Sequence, residues 1–201
     1  MEAKKIIITG GATRIGSAIA KSLVSFETKI GIHFNKSKSS AFKLKKELEE
    51  LGAEAYLFKA DLNNLKQTET LIKKAYKTLK GLDCLINNAS IFENDNLENF
   101  SDESFIKHIN INLKAPAILT QNFKKLLKDK DGCIINIIDQ RVEKLTPFFF
   151  SYTLSKSSLA TFTKTSAMKL APYIRVNGIS PGPTLKTVSY THLTLPTNRE
   201  V

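Results

Sequence analysis

Two side chains that could move a proton lie four residues apart, Tyr152 and Lys156. On a helix this spacing places both on one face. An ammonium beside a phenol is expected to stabilise the phenolate and lower the phenol pKa from its usual value of about 10. The tyrosine could then donate and accept a proton near neutral pH. The pair predicts general acid–base chemistry, although Tyr-x-x-x-Lys also arises by coincidence on helix surfaces.

A glycine-rich segment, TGGATRIG, spans residues 9–16 and follows directly on a short apolar run. A turn of this kind between a strand and a helix lets the backbone approach a pyrophosphate and aims helix N–H groups at it. The segment therefore predicts a dinucleotide site that includes Gly10, Arg14, Ile15 and Gly16.

The end of the second strand-like run reads HFNKS, residues 33–37, and contains no carboxylate. An acidic residue there would bind the ribose hydroxyls of NAD and repel a 2′-phosphate. Here Lys36 supplies a charge, Asn35 and Ser37 supply hydrogen bonds, and Arg14 adds a second cation. The pattern favours NADPH, and the alternative is a polar loop with incidental basic residues.

Apolar β-branched runs alternate with amphipathic helical patterns along the chain. The strand-like runs are residues 5–9, 29–34, 53–59, 83–87, 132–138 and 174–179. The helical patterns are residues 15–25, 39–51, 65–79, 101–128 with a break near Pro116, and 152–170. Continuous apolar strands are buried on both faces, which predicts a parallel sheet between helices. The fold class is a doubly wound, Rossmann-like α/β sheet in three αβα layers.

No linker or internal repeat divides the chain, so residues 1–187 are expected to form one NADP-binding catalytic domain. Residues 188–201 (VSYTHLTLPTNREV) depart from the βα pattern and are interpreted as a non-native tail on a C-terminally truncated domain. A chain truncated in this way could be inactive.

Composition excludes several other classes. The chain has 201 residues, is 42% hydrophobic and has no apolar run near the roughly 20 residues that a membrane span needs. Cys84 and Cys133 lie in apolar runs and are expected to be free thiols in a reducing cytoplasm. The net charge of +11 raises a nucleic-acid surface as an alternative, but no aromatic residues interleave with the lysine clusters. The three histidines have no spacing partner for a metal site.

The motifs together resemble the short-chain dehydrogenase/reductase family over residues 4–187. The resemblance rests on the TGGATRIG turn, Asp61, Asn87-Asn88-Ala89, Asn112, YTLSK at 152–156, and Arg175-Val176-Asn177 before Pro181-Gly182. It implies that Tyr152 is the proton donor, that Lys156 lowers its pKa and holds the nicotinamide ribose, and that Asn112 positions a water in a proton relay.

The resemblance also implies the remaining cofactor contacts. Asp61 and Leu62 would flank the adenine. The ribose, pyrophosphate and nicotinamide would be lined by Asn87, Ala89, Pro181, Gly182 and Thr184.

Two departures point to one branch of that family. Arg14 replaces the usual middle glycine of the turn, and Asp139 replaces the usual catalytic serine, thirteen residues before the tyrosine. Both are similar to the pteridine reductase branch, which implies that Ser90 and Phe92 face a pterin. Phe92 could stack on the heteroaromatic ring, while Asp139 and Arg14 could meet its polar edge. The alternatives are a loop-packing phenylalanine and an aspartate that caps a turn.

Two other functions remain open at this point. One is a general carbonyl reductase acting on 3-oxoacyl or sugar ketones, and the other is a non-catalytic or inactive dinucleotide-binding module. A homo-oligomer built on helices 101–128 and 152–170 is expected by analogy with the family.

Overall fold

The computed structural model describes residues 4–25 and 27–182. Within them six strands form one parallel sheet in the order β3-β2-β1-β4-β5-β6. The strands are β1 (Lys5–Ile8), β2 (Lys29–Phe34), β3 (Glu54–Lys59), β4 (Cys84–Asn87), β5 (Gly132–Ile137) and β6 (Ile174–Ile179). This order confirms the predicted doubly wound sheet.

Six α-helices connect the strands. They are α1 (Arg14–Ser22), α2 (Lys38–Glu50), α3 (Leu65–Leu79), α4 (Asp102–Ile109), α5 (Ala115–Leu127) and α6 (Phe150–Leu170). The predicted break near Pro116 is a π-helical turn, Asn110–Lys114, between α4 and α5. It ends where Pro116 enters the first turn of α5, the part of a helix that tolerates proline.

Two apolar cores cover the two faces of the sheet. On one face Ile6 and Ile8 pack with side chains of α1 and α2. On the other face Ile7 and Leu85 pack with side chains of α3 and α5. Neighbouring residues of one strand thus enter opposite cores, which explains the uninterrupted apolar strands and the three-layer architecture.

Cys84 and Cys133 are register partners on β4 and β5, and both thiols are free, as predicted. No helix in the two described ranges is long and apolar enough to cross a membrane.

The strand order reverses between β1 and β4, whose carboxyl ends therefore open a crevice. The segments that follow β1, β2, β4 and β5 all reach this edge of the sheet. They carry the glycine-rich turn, the basic stretch, the Asn-Asn-Ala motif and Asp139 respectively. Because the topology gathers these four segments, it positions the candidate site.

Candidate active site

A cavity of about 920 Å³ lies at the carboxyl edge of the sheet. Its size is that of a site for a cofactor with a small substrate. Most of the predicted site residues line it, namely Gly10, Arg14, Ile15, Gly16, Asn35, Lys36, Ser37, Asp61, Leu62, Ala89, Ser90, Phe92, Asp139, Tyr152, Lys156, Pro181 and Gly182. Asn87 and Asn112 do not line it, and Thr184 lies outside the described residues.

The glycine-rich turn has the close backbone packing that a phosphate cradle needs. Gly10 has a φ of +59°, and a Cβ added there would lie 2.9 Å from the Cα of Ala89. A Cβ on Gly16 would lie 2.3 Å from the carbonyl oxygen of Gly10. Neither position accepts a side chain, so the cavity floor here is bare backbone at the start of α1.

His33 anchors this turn to the sheet. Its Nδ1 accepts a hydrogen bond from the Gly10 N–H at 3.0 Å, and its Nε2 lies 3.1 Å from the Ala60 carbonyl oxygen. With Nδ1 accepting, Nε2 must donate, which requires a neutral imidazole. Burial lowers the pKa of His33 to about 4, so the imidazole is neutral at physiological pH.

The residues around the cavity fit a dinucleotide with a 2′-phosphate. Asn35, Lys36 and Ser37 line the cavity directly beyond β2, and none of the three is acidic. Arg14 lines the same cavity with a φ of +50°, a conformation that glycine adopts freely and arginine adopts at a cost. Strained residues of this kind cluster at ligand-binding sites.

Tyr152 and Asp139 meet beside this cradle. The Tyr152 hydroxyl donates a 2.8 Å hydrogen bond to Oδ2 of Asp139. The other carboxylate oxygen accepts the Arg141 backbone N–H at 2.8 Å, so Asp139 also caps the 3₁₀ turn Gln140–Val142. Asp139 is therefore a turn former that also lines the cavity, and its role towards a substrate stays a prediction.

The pKa of the phenol is raised, not lowered. Burial is the largest cause, followed by the charge and the hydrogen bond of Asp139, while Arg141 and Ser90 act in the lowering direction. The expectation that Lys156 lowers the Tyr152 pKa is therefore wrong for this site. Its ammonium lies 5.7 Å from the phenol ring centroid, and the nearer carboxylate has the larger influence.

Lys156 is buried on α6, one helical turn after Tyr152. Its Nζ donates to the carbonyl oxygen of Ile137 at 2.8 Å, and the residue is 2% exposed. Burial lowers its pKa to about 8, against the opposing charge of Asp139. Because Lys156 lines the cavity one helical turn after Tyr152, it can also reach a bound ligand.

Asn112 is buried and makes four hydrogen bonds within the protein. Its Nδ2 donates to the Ile91 carbonyl and to Ser155 Oγ, and its Oδ1 accepts from the Ile91 N–H and from Ser90 Oγ. The side chain thus ties the loop after β4 to α6. Both of its amide hydrogens are used in protein contacts, and its role in a water relay stays a prediction.

Asn87 is the second predicted residue placed away from the cavity wall. Its Nδ2 donates to Asn136 Oδ1 at 2.8 Å, and Asn136 in turn donates to Thr163. This buried chain of polar contacts joins β4, β5 and α6 behind the site. Its neighbour Asn88 lines the cavity instead and holds the glycine-rich turn by donating to the carbonyls of Thr9 and Gly10.

An aromatic cluster forms the cavity wall next to Tyr152. The rings of Phe92 and Phe149 stack with centroids 4.2 Å apart and planes 3° from parallel. Phe92 also meets the Tyr152 ring edge-on at 4.6 Å, and 38% of Phe92 is exposed. Ser90, predicted with Phe92, donates to Asn112 at the same wall.

Sequence reasoning missed Arg141 and Phe149. Arg141 lines the cavity, and its guanidinium carbon lies 4.5 Å from the Phe149 ring centroid. A signal for Arg141 was present, since residues just beyond the carboxyl end of a parallel strand line such sites. Phe149 gives no such signal because three consecutive phenylalanines, 148–150, cannot be told apart by type.

No group of three or more His, Cys, Asp or Glu side chains that could hold a metal ion occurs within residues 4–25 and 27–182.

A doubly wound sheet, a glycine cradle and a Tyr–Lys pair beside an acid define a dinucleotide-dependent oxidoreductase. The sequence model of the short chain dehydrogenase family matches residues 4–194, and the chain belongs to that family.

Three proteins illustrate its relationships. FolM alternative dihydrofolate reductase 1 from Brucella canis, solved in complex with NADP, is 42% identical with a TM-score of 0.84, over 90% of this chain and 74% of that chain. The Brucella suis protein of the same description, also with NADP, is 43% identical with a TM-score of 0.85, over 90% and 76%. A 3-oxoacyl-(acyl-carrier-protein) reductase from Synechocystis sp. is 30% identical over 184 residues, 90% of this chain and 74% of that protein.

Proposed function

We propose that this chain reduces pterins or dihydropteridines with NADPH, using Tyr152 as the proton donor. The observation that carries the proposal is the 2.8 Å hydrogen bond between Tyr152 and Asp139, next to the exposed face of Phe92. A carboxylate presents two acceptor oxygens, which suit the amino and ring N–H edge of a pyrimidine better than the single hydroxyl of a serine does.

NADPH is held by the cradle and the basic stretch. The tightly packed backbone at Gly10 and Gly16 is the surface that approaches the pyrophosphate, and Arg14 with Lys36 meets the 2′-phosphate. When bound, the reduced nicotinamide supplies the hydride. The NADP-bound Brucella proteins, at 42% and 43% identity, support this choice of cofactor.

The protein's own residues supply the proton and the orientation. Since the pKa of Tyr152 is raised, the phenol stays protonated through neutral pH and can act as an acid towards a nitrogen or oxygen that gains electrons. The Lys156 ammonium is fixed one helical turn after Tyr152 by its hydrogen bond to the Ile137 carbonyl oxygen. Phe92 offers a flat surface on which a heteroaromatic ring can stack.

The test compares NADPH oxidation by the full chain with dihydrobiopterin, dihydrofolate, an acetoacetyl thioester and a simple ketone. We expect kcat/KM for the two pterins to exceed that for the ketones by about 10⁴-fold, because a site built to hydrogen-bond its substrate rejects an analogue without those groups on this scale. Good turnover of the thioester with none on pterins would move the assignment to a general carbonyl reductase.

Two tyrosine variants separate an enzyme from a binding module. Tyr152→Phe should lose about 100-fold or more in turnover and keep its affinity for NADPH. Tyr173→Phe, at a 43% exposed tyrosine outside the cavity, is the matched control and should behave like the wild type. If the wild type and Tyr152→Phe both oxidised NADPH only at the same low background rate, the chain would be a dinucleotide-binding module.

A cytoplasmic location is part of the same proposal. Cys84 and Cys133 are register partners on adjacent strands and remain thiols, as suits a reducing compartment.

A further inference from the structure

A pair of thiols lies at the amino ends of the adjacent strands β4 and β5. Cys84 is the first residue of β4 and Cys133 is the second residue of β5, and the two are register partners. Both are half-buried, and neither lines the cavity at the carboxyl edge of the sheet. Because the chain contains only these two cysteines, all of its thiol chemistry belongs to this pair.

The parallel register places the two sulfur atoms on the same face of the sheet. Register partners on adjacent strands point to the same side, and neighbouring strands lie about 4.8 Å apart. A disulfide joins residues whose Cα atoms are about 4.4–6.8 Å apart, so the pair meets this condition without a change of register. The two thiols also hydrogen-bond with each other. The backbone therefore holds them in position to form a disulfide.

The flanking strands make the two thiols unequal. On β1 the register partner of Cys84 is Ile6, which belongs to the apolar core on that face of the sheet. On β6 the register partner of Cys133 is Arg175, which is exposed. A neighbouring cation favours a thiolate, whereas apolar surroundings favour the protonated thiol. The placement therefore makes Cys133 the nucleophile of the pair and Cys84 its protonated partner.

The directions of the two pKa shifts agree with this placement. The hydrogen bond from Cys84 lowers the pKa of the Cys133 thiol, burial opposes this shift, and the charge of Arg175 lowers the pKa further. The pKa of Cys84 is raised by the same hydrogen bond, by burial and by the charge of a Cys133 thiolate. Asp83 also raises the pKa of Cys84, and Arg175 opposes it.

We propose that Cys133 and Cys84 form a peroxide-reactive modification site, in which Cys133 is oxidised first and Cys84 converts the product to an intramolecular disulfide. The site is separate from the cavity and does not depend on the proposed function. In a reducing compartment a disulfide of this kind is transient, as in redox-sensing proteins.

The chemistry takes two steps. The Cys133 thiolate attacks one oxygen of hydrogen peroxide, the O–O bond breaks, and the sulfur becomes a sulfenic acid while the released hydroxide takes up a proton and leaves as water. The Cys84 sulfur then attacks the Cys133 sulfur, an S–S bond replaces the S–O bond, and the hydroxyl leaves with the Cys84 proton as a second water. The two thiols lose two electrons and two protons, and the peroxide is reduced to water.

The first experiment treats the reduced, folded full chain with hydrogen peroxide, blocks the remaining thiols with N-ethylmaleimide and measures the intact mass. We expect the wild type to lose two hydrogen atoms, to take up no maleimide and to regain both thiols with dithiothreitol. A non-reducing gel should show that the bond lies within one chain. Thiols that both still take up maleimide, or a disulfide that joins two chains, would overturn the proposal.

Two alanine variants test the order of the steps, since a free cysteine packs as a small apolar residue that alanine can replace. In Cys84→Ala the sulfenic acid on Cys133 has no second thiol to react with, so dimedone should trap it. Cys133→Ala should react with peroxide at least about tenfold more slowly. In the wild type, limiting maleimide should label Cys133 before Cys84, a readout that needs no variant. Equal reactivity of the two cysteines would overturn the assignment of Cys133 as the nucleophile.

Arg175→Met tests the source of the reactivity, because methionine keeps the apolar stem and removes the charge beside Cys133. The rate of peroxide oxidation near neutral pH should fall about threefold, a modest effect because solvent screens an exposed charge. Arg175→Lys should keep the wild-type rate. Lys74→Met removes an exposed charge from α3, on the other face of the sheet, and as the matched control should react like the wild type. An unchanged rate in Arg175→Met would contradict the activation of Cys133 by its register partner.

Discussion

The Tyr152 hydroxyl donates to Asp139 Oδ2 at 2.8 Å, so the proton that the proposed reaction uses points at a carboxylate. The carboxylate raises the pKa of the phenol and holds it in the protonated form. A substrate that can accept a proton must therefore compete with Asp139 for the tyrosine hydroxyl, or share the proton with both groups. In the proposed reaction the aspartate would thus couple substrate recognition to proton transfer.

Replacing Asp139 by asparagine tests this coupling. Asparagine caps a turn as well as aspartate does, so the 3₁₀ turn after β5 should persist. The variant loses the negative charge and the ability to carry a proton, and we expect kcat/KM for pterins to fall about 100-fold with NADPH affinity unchanged. Steady-state kinetics and NADPH titration measure the two quantities. If Asp139→Asn kept the wild-type rate of pterin turnover, the only role left for Asp139 would be to cap the turn.

The alkaline limb of the pH profile should report Lys156. Its pKa is lowered by burial from 10.5 to about 8, so the ammonium is present below that pH and is lost as the pH rises through it. Tyr152 remains protonated over the same range because its pKa is raised. We therefore expect kcat to fall above about pH 8.

Asp139→Asn provides the check on that assignment. The Asp139 carboxylate raises the pKa of Lys156, so its removal should move the alkaline limb of the residual activity to lower pH. A limb near the ordinary lysine value of 10.5, or one that does not move in the variant, would exclude Lys156 as the group that titrates.

The sheet and the cavity could be predicted because their signals are local. Apolar β-branched runs identify the strands, and the parallel topology then brings every segment after a strand end to one edge. Arg14 and Lys36 could be assigned to one site in this way, whereas Asp139 and Tyr152 could be assigned to it through the family resemblance. The helix bounds in the structure differ by a few residues from the predicted ones; α6, for example, begins at Phe150, two residues before the predicted start.

The side-chain electrostatics could not be predicted in the same way. The Tyr-x-x-x-Lys spacing indicated a shared helix face but gave no distances, and Asp139 on another element has the larger effect on the phenol. Asn87 and Asn112 have the right types for ligand contacts, yet both amides are used in long-range contacts, with Asn136 and with Ser155. Such pairings depend on tertiary packing, which a single sequence does not contain.

His33 should make the protein acid-sensitive. Its pKa in the folded state is about 4, below the ordinary 6.5, so the unfolded chain binds a proton in this window and the folded chain does not. The free energy of unfolding should therefore fall as the pH drops from about 6.5 to about 4, by up to about 3 kcal/mol at about 1.4 kcal/mol per pH unit. Urea unfolding across this range measures the effect.

His33→Asn is the informative variant, because an amide can accept from Gly10 and donate to Ala60 without titrating. The variant should lose part of the pH dependence between about pH 4 and 6.5. Parallel stability curves for the two proteins would assign the acid sensitivity to other groups.

Asp95 holds the start of the helix that carries Tyr152 and Lys156. Its Oδ1 accepts the Ser151 N–H at 3.1 Å and its backbone carbonyl accepts the Phe150 N–H at 3.3 Å. Both N–H groups belong to the first turn of α6, where no helical partner exists. Asp95→Ala leaves the buried Ser151 N–H without its acceptor, and we expect a loss of about 1–3 kcal/mol in the free energy of unfolding.

The same variant should lower kcat more than it raises KM, because the start of α6 sets where the Tyr152 hydroxyl lies relative to Asp139. Asp95→Asn keeps an acceptor for Ser151 and should lose less on both measures. Asp102→Ala, at an exposed acid in the first turn of α4, is the control and should change the stability by only about 0.5 kcal/mol. If Asp95→Ala unfolds at the same urea concentration as the wild type, α6 is held by its packing alone and Asp95 has no part in positioning the tyrosine.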